Sequence, residues 1–375
     1  MFRFSIRDWP NAVVTLSACV LLVHSARSPT QQPPPAGAAT ESQDQIPVET
    51  FHAPRPKNIA PPSCFGGDAP ASRIKPSEGN DACDEMLHGF EGWVELGFMV
   101  DPSGKPIEIT VVRSTGDKAF DMAAVKVIAL STFFPGSLDG KPVESGLEMK
   151  YTFMADAGGP SSKFIAGYKT LLGAINAGDK ADAEAALAHL KITNLSEDAY
   201  FGLATFLYAS KWGDESQQLE ALRRAIVEED RVTYLSKDQL KSALLTRLKL
   251  EMKAHLYAEA LTTWKGMEKV GVDETTKTHF QQTVDQLQQL RSDNSPYAVS
   301  GLLTSTGNWH LHLFKRRFQA VVSDGYISQV KLRCEKRYVF FTFDPSLQYN
   351  VDAKYGDCAI ELLGAPGTHF QLVQS

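Results

Sequence analysis

The chain has few cysteines, no long apolar run and no excess of one charge. Its five cysteines in 375 residues include no closely spaced pair, so a zinc ribbon or finger is excluded. The longest apolar stretch runs from Ala12 to Val23, short of the ~20 residues that span a bilayer. Lys and Arg total 38 against 44 Asp and Glu, for a net charge of -6, which gives no basis for expecting nucleic acid as a partner. No G-x-S-x-G elbow, H-E-x-x-H helix, Walker loop or G-x-G-x-x-G after a strand occurs, and the acidic residues are dispersed. The chain therefore reads as a non-enzyme without cofactor or metal. With 43% hydrophobic and 22% charged residues it is globular, and its length suggests two or three domains.

What is present is unevenly distributed. Arg3 and Arg7 precede the Ala12–Val23 run, whose length suits a signal-peptide core. Residues 1–27 read as a cleaved signal peptide, or as an uncleaved N-terminal membrane anchor if Trp9 to Ala26 forms one helix. Leu16-Ser17-Ala18-Cys19 also resembles a lipoprotein lipobox, in which the cysteine becomes the lipidated terminus. Export leaves Cys64, Cys83, Cys334 and Cys358, an even number for an oxidising compartment. Connectivity is open from sequence; pairing each neighbourhood, Cys64 with Cys83 and Cys334 with Cys358, closes short loops at about 3 kcal/mol each.

Nine of the 20 prolines lie between Pro29 and Pro62. Residues 28–62 are poor in bulky apolar side chains and read as a disordered linker. Residues 63–157 carry a sharper pattern. Val94, Leu96, Phe98 and Val100 alternate with Glu95, Gly97 and Met99, as in a strand with one buried face. Asp101-Pro102-Ser103-Gly104 is a type I turn signal, and Ile107, Ile109 and Val111 continue as the second strand of a hairpin. Phe120, Ala123, Ala124, Val127 and Ile128 form a helical stripe, stopped by Pro135-Gly136. After Asp139-Gly140, Leu147, Met149, Tyr151 and Phe153 alternate with Glu148, Lys150 and Thr152 as a third strand. The unit is a β-β-α-β two-layer domain.

These motifs resemble the C-terminal domain of TonB-type energy transducers. Glu91-Gly92 with Val94 and Phe98, Val112 and Ser114 with Gly116, Phe120-Asp121 with Ala123-Ala124, Phe133 to Pro135, and Asp139-Gly140-Lys141-Pro142-Val143 match that family's ordered pattern. The resemblance covers about Lys75 to Phe153. It implies an exported, periplasmic protein that contacts envelope proteins: outer-membrane TonB-dependent receptors, and an inner-membrane motor complex where energy is transduced. The physical mode would be strand addition to a sheet edge. The candidate edge is Leu147, Glu148, Met149, Lys150, Tyr151, Thr152 and Phe153. Ser17 and His24 do not reproduce the serine–histidine spacing of the transducer's membrane helix. A non-energised periplasmic scaffold is therefore the alternative within this class.

Residues 160–294 are Ala- and Leu-rich with breaks at Gly178-Asp179, Gly213-Asp214 and near His255. They are similar to tetratricopeptide repeats, or form a plain helical bundle. Residues 297–375 return to strand patterns and read as an all-β domain of no recognised family, pinned by Cys334 and Cys358. The expected architecture is thus multidomain α+β. His310 and His312 share one strand face without an accompanying carboxylate at a telling spacing, so a half-exposed face is expected rather than a metal site. Convergence of these histidines with a carboxylate in a pocket would instead favour a ligand-binding or enzymatic protein. Lys315, Arg316, Arg317, Lys331, Arg333, Lys336 and Arg337 make a basic tract, read as a solvated face. Contact with an anionic lipid head group or cell-wall polymer is its other reading.

Overall fold

The computed structural model describes residues 50–60, 91–154, 159–226 and 234–375, all within one compact unit, Glu49–Ser375. The leader, the lipobox cysteine, Cys64 and Cys83 lie outside the described residues, as does most of the proline-rich stretch. Among the described residues no helix is long and apolar enough to cross a membrane.

The part of the supposed linker that is described is ordered as strands. β1 (Phe51–His52) and β2 (Arg55–Asn58) pair with later segments of the chain, β2 with β5 (Thr132–Phe134) and β1 with β6 (Gly136–Leu138). Strand pairing here uses backbone groups rather than apolar side chains, which is why composition alone suggested disorder.

The hairpin and helix follow their sequence signals. β3 (Gly92–Val100) and β4 (Pro106–Ser114) are joined by the turn in which Gly104 N donates to Asp101 O at 2.9 Å. Gly104 has φ +86°, and a Cβ there would meet Phe133 O at 2.2 Å, so both conformation and space require glycine. α1 (Lys118–Leu130) starts on Asp117, whose side chain accepts from Ala119 N, and buries the expected Phe120, Ala123, Ala124, Val127 and Ile128. It ends at Ser131, before Pro135, because Thr132–Phe134 are needed for β5. β7 (Lys141–Val143) pairs with β6, and β8 (Ser145–Phe153) closes a sheet of order β4-β3-β8. Phe98 meets Phe133 at 5.1 Å and Phe120 meets Phe153 at 4.8 Å between ring centroids in the core under α1.

The second face of this sheet departs from expectation. Trp93 and Met99 are buried as fully as Val94 and Phe98; β3 has two buried faces. Trp93 belongs to the apolar core of the helical region, with Leu195, Leu222, Leu244 and Trp264.

That region comprises α2 (Ser162–Ala177), α3 (Lys180–His189), α4 (Leu195–Trp212), α5 (Glu215–Ala225), α6 (Lys237–Lys253), α7 (Tyr257–Val270) and α8 (Glu274–Ser292). The sequence breaks at Gly178-Asp179 and Gly213-Asp214 fall between helices, with Asp179 and Asp214 as N-caps. Both resolve orphan N–H groups at the start of the following helix.

The remaining strands form two four-stranded antiparallel sheets. β10 (Asn308–His312), β15 (Cys358–Gly364), β12 (Ile327–Cys334) and β13 (Arg337–Thr342) lie in that order in one; β14 (Tyr349–Asn350), β11 (Arg317–Asp324), β16 (His369–Gln374) and β9 (Tyr297–Leu302) form the other. Phe318, Val330, Ile360, Leu362, Phe370 and Leu372 are core residues of this part. Cys334 and Cys358 are register partners on β12 and β15 and are disulfide-bonded. Gly367 at φ +78° turns the chain between β15 and β16.

Candidate partner-binding strand and the cleft beside it

β8 pairs with β3 along its whole length, from Ser145 opposite Val100 to Phe153 opposite Gly92. It is the last strand of its sheet, and among the described residues no strand pairs with its other side. Its two faces are occupied. Phe153 is buried in the core under α1, with Leu147, Met149 and Tyr151 packed against it. Opposite them, Lys150 Nζ lies 4.7 Å from the centre of the Trp93 ring, and Glu148 turns to the β-rich part.

Glu148 is where three parts of the chain meet. One carboxylate oxygen accepts from His312 Nε2 at 3.1 Å. The other lies 3.2 Å from His310 Nε2, at ion-pair distance but outside hydrogen-bond geometry. His312 Nδ1 is 3.5 Å from Glu259 Oε1 of α7, and that same oxygen accepts from His312 N at 3.1 Å. Burial acts to raise the Glu148 carboxyl, but the two histidines overcome it and hold it well below the usual carboxylate range. Burial likewise opposes charge on His312, and Glu148 with Glu259 outweighs it, pushing the imidazole up to about 10. Glu259 is also lowered: its burial is offset chiefly by His312. The histidines keep the half-exposed face expected of them, with His310 15% and His312 42% exposed, but that face also meets carboxylates. The carboxylates that sequence spacing could not supply come from β8 and α7: His312 pairs with both Glu148 and Glu259, while His310 Nε2 and Glu259 Oε2 are buried without a hydrogen-bond partner among the described residues. Among the described residues no group of three or more His, Cys, Asp or Glu is placed to hold a metal ion.

Part of the basic tract is taken up by structure, while Arg316, Arg317 and Arg337 stay exposed as on a solvated face. Lys315 is buried and bonds Asp293 Oδ1 at 2.8 Å and Ser295 O at 2.7 Å. Arg316 reaches Gly356 O and Arg317 reaches Asn294. Arg333 pairs with Glu361 at 2.9 Å and crosses to Thr110 of β4, while Lys331 lies 3.9 Å from Glu361. Lys336 sits over the Phe51 ring at 5.4 Å. These cations tie the β-rich part together and to the β4-β3-β8 sheet.

Next to the histidine cluster a cleft of about 300 Å³ borders β8 at Gly146, Leu147 and Glu148. Its other walls are α7, through Leu261 and Lys265, the end of α8 at Arg291, and the Cys334–Cys358 disulfide. Gly146 packs on β12 so tightly that a Cβ would meet Cys334 O at 2.7 Å. No sequence signal marks this cleft, because its walls come from segments spread between Gly146 and Ala359.

Residues 84–154 match the family model of the Gram-negative bacterial TonB protein C-terminal region. This stretch is a TonB C-terminal domain. A solved structure of the TonB2 protein from Vibrio anguillarum is 27% identical to this chain, covering 24% of it and 88% of the Vibrio chain, with a TM-score of 0.17. No curated protein matches the chain. In the TonB domain, then, β8 is the outer strand, and the helical and β-rich parts cover the face of the sheet that α1 leaves open.

Proposed function

We propose that the chain is a TonB-type envelope protein whose TonB domain engages another envelope protein through the outer edge of β8, from Leu147 to Phe153. What carries the reading is the position of β8: both faces of its sheet are covered, and β3 lies on one side only. A terminal strand offers backbone donors and acceptors to an extended partner segment. In this reading the partners are outer-membrane receptors, the compartment is the periplasm, and energy transduction depends on an N-terminal contact with a motor complex. The helical array, read as tetratricopeptide-like, adds partner surface.

The alternative, a non-energised scaffold, draws on the same covering. Buried ion pairs fix the TonB sheet to the rest of the unit, as a static platform requires. A ligand-binding or enzymatic role draws on the convergence of His310 and His312 with Glu148 and Glu259. It is the weaker reading, because Glu148 and Glu259 are already paired with His312.

The test is a titration of the full chain with extended peptides from the periplasmic ends of the host's outer-membrane receptors, followed by backbone NMR. Shifts concentrated on Leu147–Phe153 support the edge reading. Absence of binding at millimolar peptide overturns it and moves the search to the helical array.

A further inference from the structure

We infer that the outer face of α1, continued onto the β2-β5 ribbon, is a docking surface for an anionic lipid bilayer. Lys118, Met122, Lys126 and Leu130 recur at i, i+4, i+8 and i+12 of α1 and all are exposed, so they form one stripe along the side of the helix that faces away from the sheet. The chain carries the stripe onto β5, where Thr132 and Phe134 are exposed and Phe133 is buried in the core. β2 is tied beside the helix end. Ala60 N, just past β2, donates to Ser131 Oγ at 2.9 Å, and that hydroxyl donates to Val127 O at 2.7 Å. β2 thereby brings Arg55 and Lys57 over the Phe134 ring, 4.7 and 5.6 Å from its centre. The helical and β-rich parts pack on the opposite face of the TonB sheet, which leaves this side clear of them.

Two properties select the partner. The first is apolar reach: Met122 is 65%, Leu130 63% and Phe134 42% exposed, and large apolar side chains gathered on one surface mark a contact site. The second is charge. The chain as a whole carries -6, yet Arg55, Lys57, Lys118 and Lys126 stand on this surface, and among the described residues none of the four has a carboxylate partner. The acids at the start of the same helix are used elsewhere: Asp117 caps α1 through Ala119 N, and Asp121 is half-buried against Ser114 of β4. Cations and apolar tips alternate along one line, so the partner must be anionic and apolar within one side chain's depth. A bilayer surface has that section. Lysine stems lie along the apolar neighbours and lift their ammonium groups to lipid phosphates, while Met122, Leu130 and Phe134 enter the acyl boundary. A soluble polyanion satisfies the cations alone. Four cations and three apolar tips give a reversible contact rather than a permanent anchor.

The test is co-sedimentation of the full chain with vesicles of phosphatidylethanolamine and phosphatidylglycerol, beside vesicles of phosphatidylcholine, which record any contribution of the apolar N-terminal run. The acidic vesicles are expected to bind the parent more tightly, and Lys118→Gln and Lys126→Gln each to weaken that binding about fivefold. Met122→Ser and Leu130→Ser should each weaken it about tenfold. All four substitutions sit at exposed helix positions, and an unchanged melting temperature shows that the fold is kept. Equal binding of the parent to both kinds of vesicle overturns the proposal. So does binding to acidic vesicles that falls with the lysines, ignores Met122→Ser and Leu130→Ser, and is competed away by soluble polyglutamate; the surface then serves a soluble polyanion. Neither result bears on the edge of β8, which the peptide titration tests separately.

Discussion

Glu148 on β8 accepts a hydrogen bond from His312 on β10 at 3.1 Å, across 164 residues of sequence. With His310 and Glu259 it joins the TonB sheet, the β-rich part and α7 at one point. Glu148→Ala should therefore loosen a junction of three parts. The loss expected is about 2 kcal/mol, below the ~3–5 kcal/mol of a fully buried pair because His312 is 42% exposed. Urea denaturation of the variant beside the parent measures it.

The same junction fixes a pH dependence. Glu148 is lowered well below 4.5 in the fold, so its contribution is present above the unfolded carboxylate pKa and lost as pH falls through the depressed value. His312 is raised from 6.5 to about 10, so its contribution is whole below 6.5 and is lost progressively as pH rises to about 10. The stability gap between parent and His312→Ala should be widest near pH 5–6.5 and shrink steadily toward pH 10. A gap that stays constant across that range would show that His312 is not charged in the fold.

Local chemistry in the sequence reached the TonB unit well and the junction hardly at all. The stripe Phe120, Ala123, Ala124, Val127 and Ile128 is buried as its spacing required, because helix periodicity and the face it buries are one property. Glu95, Gly97 and Met99 looked like a solvent face because Glu and Gly alternate with apolar residues there, yet Met99 is fully buried. Glu95 is neutralised by Arg113 at 3.0 Å, and Gly97 leaves room for Arg333. A charged residue whose partner is distant in the chain cannot be told from a solvated one by alternation. His310 and His312 were visible as a shared face, but Glu148 and Glu259 reach them only through the tertiary fold.

Trp93 tests the second face directly. Its Nε1 donates to buried Asp198 Oδ2 at 3.2 Å, and Asp198 also accepts from Arg224 at 2.6 Å. Trp93→Phe removes one hydrogen bond while Asp198 keeps its arginine, so about 1–2 kcal/mol should be lost. Trp93→Ala also opens a cavity in the helical core, and about 3–5 kcal/mol is expected. Equal effects of the two substitutions would show that the ring does not pack there.

Separation of the parts should be costly. A fragment ending at Met154 exposes Trp93 and Met99 and strips Glu148 of both histidines. An uncovered sheet face of this kind associates with itself. Size-exclusion chromatography should find the fragment oligomeric or aggregated where the full chain carries the same sheet covered. A monomeric fragment with an unchanged melting temperature would mean that the covering adds nothing to stability.

The Cys334–Cys358 bond joins register partners on adjacent strands and closes a loop of sequence separation 24. Closing such a loop in the unfolded chain stabilises the fold by about 3 kcal/mol. Replacing both cysteines by serine removes that constraint and leaves two small polar side chains in nearly closed positions, since Cys334 is 1% exposed. The melting temperature should fall by about 6–12 °C, and reducing agent should lower the parent further than it lowers the double variant. The double variant separates this bond from any contribution of Cys64 and Cys83. Because Cys334 O abuts Gly146, loosening the bond should also reach β8: amide exchange at Gly146–Glu148 should quicken in the variant, while Val94 and Leu96, held between two paired strands, stay protected. Exchange that quickens at both places alike would mean that the disulfide supports the whole unit rather than this junction.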